Sequence, residues 1–175
     1  MDPNSPGGFG GQPPQQQAWP PQQAPQPGGG DTPFASAKAS GYVPSDEEKQ
    51  QAFYAHLFGA LGTLVLCGTG LHLVGPLVPM FMAKQRTPFL MYHVNQAFWF
   101  QVGLFALNAV LAIIFTILAM VTCGIGSFLF ILNGIPVLVA IGYPVLVGMK
   151  AKEGEWSEYA VVGAKVLAQK SPVFK

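Results

Sequence analysis

Between Gln50 and Met149 the chain carries only two charged residues, Lys84 and Arg86. A soluble domain of that size needs a hydrated, charge-bearing surface, and about a quarter of the residues in ordinary globular proteins are charged. Here the whole 175-residue chain is 10% charged and 50% hydrophobic. The stretch therefore reads as a surface for lipid. Helices satisfy their own backbone hydrogen bonds in hydrocarbon, so the expected fold is all-α and integral to a membrane. It is a compact bundle of three to four transmembrane helices, the first of them broken, behind a disordered tail.

The tail is residues 1–44, a Pro, Gln and Gly-rich block with too little apolar surface to offset the entropy of ordering it. It suits a spacer, with recruitment of a soluble partner as the alternative. The helical membrane domain spans 45–170. Ser45 followed by Glu48 has the spacing of a capping box, and Asp46, Glu47 and Glu48 suit the positive end of a helix. The first element is expected over 46–66 and 71–83, interrupted by "CGTGLHLVGPLVP", where glycines and prolines oppose a straight helix. Fully helical, residues 52–83 would run about 48 Å, against a hydrocarbon core of about 30 Å. A single broken span and a re-entrant hairpin both remain open. The second helix is expected over 89–121 and the third over 127–149, with kinks at Pro136 and Pro144. Residues 157–168 have the spacing of a short interfacial helix.

Polar residues enter the apolar pattern in an ordered way. Along the second helix, His93, Gln101, Asn108 and Thr116 project onto one side and Gln96 onto its flank. Near the helix start, His93, Asn95 and Gln96 fit an interfacial belt beside Tyr92 and Trp99. Gln101 and Asn108 lie too deep for that, so an inward polar seam of His93, Gln96, Gln101, Asn108 and Thr116 is expected to pack on the first element. The first element offers Ala55, His56 and Gly59 for that contact, in a small-residue stripe of Ala55, Gly59 and Thr63.

Several functions find no support. A net charge of +1 offers no basic patch for nucleic acid. His56, His72 and His93 have no metal-ligand spacing and no carboxylate nearby in the apolar stretch, so neither a metal nor another cofactor is expected. No nucleophile stands with a base and an orienting group, and no enzyme activity is expected. Cys67 and Cys123 read as small apolar residues, and the N-terminus lacks the pattern of a cleaved signal. Lys84, Arg86, Lys150 and Lys152 flank the second and third helices on one side, which puts that side and the C-terminus in the cytoplasm.

The run His93-x-x-Gln96-Ala97-x-x-Phe100-Gln101 resembles a stretch of small bacterial membrane proteins grouped as a domain of unknown function, similar to the chloroplast import component Tic-twenty. "AHLFGALG" (55–62), "VGPLVPMFMAKQRTPFLMYH" and "GMKAKEGEWSEYA" extend the resemblance over about residues 50–160. It implies a helical domain of the bacterial inner membrane. Two roles follow as expectations. One is a scaffold or accessory subunit that contacts lipid, a second copy or another membrane protein. The other is transport, as a pore component or translocation subunit.

Overall fold

The computed structural model describes residues 33–66 and 69–168, and among these every regular element is helical. In chain order they are α1 (Pro33–Ala39), α2 (Asp46–Leu66), a 3-10 helix (Leu71–Leu77), α3 (Val78–Met82), α4 (Pro88–Val121), a second 3-10 helix (Ile125–Asn133), α5 (Gly134–Lys152) and α6 (Gly163–Leu167). Most of the expected disordered tail, residues 1–32, lies outside the described residues, as does Cys67.

Both halves of the capping box form at the start of α2. The Ser45 backbone N–H donates to Glu48 at 2.5 Å and the Glu48 N–H to Ser45 Oγ at 3.3 Å. After α2 the chain doubles back. Gly62 faces the backbone of His72, and Gly75 packs against the carbonyl of Phe58. Pro76 and Pro79 cannot donate to a helical ladder, which is why the returning arm is a 3-10 helix followed by one short α-helix. Gly75 is required by this approach, because a Cβ there would overlap the α2 backbone at Phe58.

The connector 83–87 leads into α4, which Thr87 caps by accepting from the Leu90 N–H, with Pro88 in the first turn. The 34 residues of α4 extend about 51 Å. Its contacts with α2 climb in the same direction, His56 with His93 and Thr63 with Gln101, so the two helices are parallel. The chain then turns at 122–124 and returns through the second 3-10 helix and α5, which run antiparallel to both. The start of α2, the connector 83–87 and the end of α5 thus share one end, where the charges lie. The α2 hairpin reaches only to Phe105, whose ring lies 5.4 Å from that of His72. Beyond it, among the described residues, α4 packs on the second 3-10 helix, with Phe115 against Phe130 at 5.9 Å.

Two helical segments, Pro88–Val121 and Ile125–Lys152, are long and apolar enough to cross a membrane. The first element is the hairpin, one of the two arrangements left open by the sequence. Two expectations are corrected. Residues 33–44 are not disordered: Phe34 in α1 is buried edge-to-face on Tyr92 at 5.8 Å, and Lys38 pairs with Glu158 at 2.9 Å. One aromatic anchor outweighs the polar composition around it. Residues 157–168 do not form an interfacial helix either. Their apolar side chains Tyr159 and Val166 turn into the protein core, 1% exposed each, and only Gly163–Leu167 is helical. Cys123 also departs from expectation: it is exposed at the turn with a free thiol.

The hairpin contact yields a direct test. Gly75→Ala is expected to lower stability in mild detergent by about 1–3 kcal/mol. Gly103→Ala, whose new methyl meets no atom within 4 Å, serves as the control and leaves the thermal unfolding midpoint unchanged or slightly raised.

Candidate functional site

The first fourteen residues of α4 hold four of the most heavily buried polar groups of the described chain. His93, Asn95 and Gln96 are 0% exposed and Gln101 is 1% exposed. They therefore form no interfacial belt. Helices α1, α2, α5 and the C-terminal segment surround the first three of them.

Two linked clusters result. In the upper one, at the charged end, Tyr159 Oη lies 2.8 Å from His56 Nδ1, and His56 Nε2 lies 3.0 Å from His93 Nδ1. Each imidazole shares one proton per contact, so the two tautomers are tied together. If Tyr159 donates to His56, then His56 donates to His93 and leaves an N–H on His93 Nε2. In the reverse arrangement His93 Nε2 is a bare acceptor. That nitrogen has no hydrogen-bond partner of good geometry, and neither do Tyr92 Oη and Asn95 Oδ1. Beside the imidazoles, Gln96 pins the C-terminal segment by its backbone. Its Oε1 accepts from the Tyr159 N–H at 2.9 Å and its Nε2 donates to the Ser157 carbonyl at 3.1 Å. Aromatic rings close the walls. Phe100 stacks on Tyr159 at 4.2 Å, and Phe89 lies edge-to-face on His93 at 4.6 Å and on Trp156 at 5.3 Å. Gly148 of α5 lets α2 approach, since a Cβ there would sit 3.0 Å from that of His56. Burial, and then the neighbouring Tyr143, push the Tyr159 hydroxyl well above the usual tyrosine range.

The lower cluster centres on Gln101. Pro144 has no N–H to give the carbonyl four residues before it, so the Ala140 carbonyl is released from the α5 ladder. Gln101 Nε2 donates to that carbonyl at 3.3 Å, while Gln101 Oε1 lies 3.0 Å from Thr63 Oγ1 of α2. One side chain thus ties together three helices. Gly59 admits it, standing where a Cβ would meet Gln101 Nε2 at 3.2 Å.

The structure brings His93, Gln96 and Gln101 together with Ala55, His56 and Gly59, all of them buried. It does not bring Asn108 or Thr116 to the first element. Asn108 donates to Leu104 and Thr116 to Ala112, both within α4. The expected seam is cut short because the α2 hairpin ends at the height of Phe105. Asn108 instead borders a cavity of about 380 Å³ at the tip of the hairpin, with Thr63, His72, Gln101 and Asn133. Sequence reasoning missed Tyr159 and the Ala140 carbonyl; the proline was visible, but its partner on another helix was not. Among the described residues no three His, Cys, Asp or Glu side chains gather as a metal site.

Residues 47–166 match the magnetosome magnetite crystal formation protein family. The chain belongs to this family. The stretch includes both buried clusters, α4, α5 and the C-terminal return. The match overturns the resemblance to Tic-twenty-like proteins: the residues that carried it, from Ala55 to Ala160, fall within the matched region. No curated protein and no solved structure matches the chain at a significant level. Family membership and the two long apolar helices together point to a membrane protein involved in magnetite crystal formation.

Two predictions follow from the clusters. Gln101→Leu strands the Ala140 carbonyl and is expected to cost about 1–3 kcal/mol, whereas Asn108→Leu stays within about 0.5 kcal/mol of the parent, both read from unfolding in detergent. The Tyr159 contribution depends on pH. Its folded-state value is raised, so its stabilisation is complete below the unfolded value of about 10 and is lost as pH rises beyond it. Unfolding midpoints should therefore drop in the alkaline range, and Tyr159→Phe should show a shallower drop from a lower starting stability.

Proposed function

We propose that the chain is a non-enzymatic, multi-pass protein of the magnetosome membrane that supports magnetite crystal formation as a scaffold or accessory subunit. The observation that carries this reading is where the charges lie. Among the described residues every Asp, Glu, Lys and Arg belongs to the end formed by α1, the start of α2, the connector 83–87 and the chain after Met149. The opposite end is the turn 122–127, with no charged side chain to bind iron or a mineral face. The positive-inside rule assigns the charged end and the C-terminus to the cytoplasm. The uncharged turn then faces the vesicle interior. Crystal growth is influenced through other membrane components, not by direct contact with mineral.

The buried clusters support a structural role. His56, His93 and Gln96 are covered by protein, which leaves no side of them for a substrate to approach. The surface beyond Phe105 is available for partners, including a second copy, with Val110, Ile113, Ile117, Val121, Phe128 and Ile131 exposed. The α4–α5 pair spans the bilayer and the α2 hairpin enters from the charged side. A transport role remains as the second reading, and the cavity beside Gln101, Asn108 and Asn133 is the observation that favours it.

The test uses the native thiol at the turn. In intact magnetosome vesicles, a membrane-impermeant maleimide should leave Cys123 unlabelled until detergent is added. Labelling without detergent reverses the orientation and removes the argument. In a magnetite-forming strain lacking the gene, Ile113→Asn/Ile117→Asn should fail to restore crystal size while Asn108→Leu restores it. Iron or proton flux through reconstituted liposomes that Asn108→Leu abolishes would instead establish transport.

A further inference from the structure

The cavity at the hairpin tip, about 380 Å³, is within the size range of small-ligand sites. Its back wall is α4, with Phe105, Asn108 and Ala109. The hairpin contributes His72 on one side, and the second 3-10 helix contributes its last residue, Asn133, on the other. Phe105 and Ala109 are exposed, so the cavity opens to the lipid-facing side. Its depth sets its chemistry. Asn108 lies seven residues beyond Gln101 and Asn133 seven before Ala140, on antiparallel elements, so the two asparagines reach the cavity at one height. From there it is about 25 Å along α5 to Lys150 and about 20 Å along α4 to Val121. With α4 and α5 crossing the bilayer, the cavity lies near its middle, away from phospholipid headgroups.

Polar groups at that depth are costly unless they are paired. Thr63 and Gln101 bond to each other and to backbone carbonyls, and Asn108 donates to the Leu104 carbonyl. Two lining residues differ. His72 Nδ1 and Asn133 Oδ1 are buried and have no hydrogen-bond partner. They stand on different walls, one on the hairpin and one on the second 3-10 helix. None of the described lining residues is an Asp, Glu, Lys or Arg. The cavity is thus uncharged and mostly apolar, with a polar group unanswered on each of two sides.

We propose that this cavity binds the ring of an isoprenoid quinone from within the membrane, its two ring oxygens toward His72 and Asn133 and its tail leaving to lipid. A quinone is neutral, as uncharged walls require, and its ring can enter the hydrocarbon without a charge to desolvate. The oxygens lie on opposite edges of the ring and accept hydrogen bonds as the quinone or donate them as the quinol. An imidazole and a carboxamide each carry a donor and an acceptor, so either form can be met. Phe105 gives the ring an aromatic neighbour, and Ala109 and Ala112 take up little of the space. An acyl chain would leave both polar groups unpaired, and the hydroxyl of a diacylglycerol is held at the headgroups by its own affinity for water. The site is independent of the scaffold role and requires only that α4 and α5 cross the bilayer.

Native mass spectrometry of the full-length, delipidated protein tests this with a short-chain ubiquinone, an alkylbenzene carrying the same tail, and a diacylglycerol. The quinone should be retained about three- to tenfold more tightly than either of the others, the worth of one good hydrogen bond. His72→Phe keeps a ring against Phe105, and Asn133→Leu keeps the bulk of the amide. Each should weaken the quinone about threefold or more and leave the alkylbenzene unchanged. Ala109→Phe fills the cavity from an exposed position. It should abolish quinone retention at an unchanged thermal midpoint, which keeps the test decisive if a polar variant does not fold. Equal retention of the quinone and the alkylbenzene, tighter retention of the diacylglycerol, or quinone retention that survives Ala109→Phe overturns the proposal.

Discussion

A carbonyl that cannot be paired within its own helix is intolerable at bilayer depth, and in this protein Pro144 creates one. Gln101 answers it from the neighbouring helix and reaches Thr63 on a third. Each unpaired group in such surroundings costs several kcal/mol. The position of α4 relative to α2 and α5 is therefore fixed by chemistry as well as by shape. Lipid tails offer no hydrophobic drive for helices to associate, which leaves close packing and interhelical hydrogen bonds to do so. Gly59, Gly75 and Gly148 supply the close packing. Gln101, His56 and His93 supply the bonds.

The upper cluster extends the same logic to the chain after α5. Nothing in 155–162 is helical, so its backbone must find partners elsewhere. Gln96 provides two of them, and Tyr159 closes the contact by reaching His56. Phe34 and Lys38 of α1 then brace the segment from the other side through Tyr92 and Glu158. The chain before α2 and the chain after α5 thus meet over α4, which makes the charged end the most extensively cross-linked part of the protein.

Much of this was legible in the residues. The near absence of charge over a hundred positions specifies apolar helices, and the Ser45–Glu48 spacing places the start of α2 where both capping bonds form. Helical periodicity put His93 and Gln101 on one side of α4. What the pattern does not contain is the height of the neighbouring element. Asn108 and Thr116 continue the same stripe, but α2 has already turned back, so they bond within α4. Nor does local spacing disclose a partner a hundred residues away, and Tyr159 with its apolar neighbours was consistent with a helix lying on the membrane. The resemblance to Tic-twenty-like proteins, led by the polar string at the start of α4 and extended over about residues 50–160, does not mark the family. That string describes how helices lock together, a need shared by unrelated membrane proteins.

The short hairpin has a consequence for the bilayer itself. Four packed elements, α2, its returning arm, α4 and α5, fill the half of the apolar thickness next to the charged end. Among the described residues only α4 and the arm that returns from the turn fill the other half. The molecule is a wedge, with its broad side in one leaflet. In the orientation proposed above, that leaflet is the outer one of a closed vesicle, the convex side, where lipid headgroups are already spread apart. A flat sheet crowded with such wedges is under lateral stress, and bending toward the broad side relieves it.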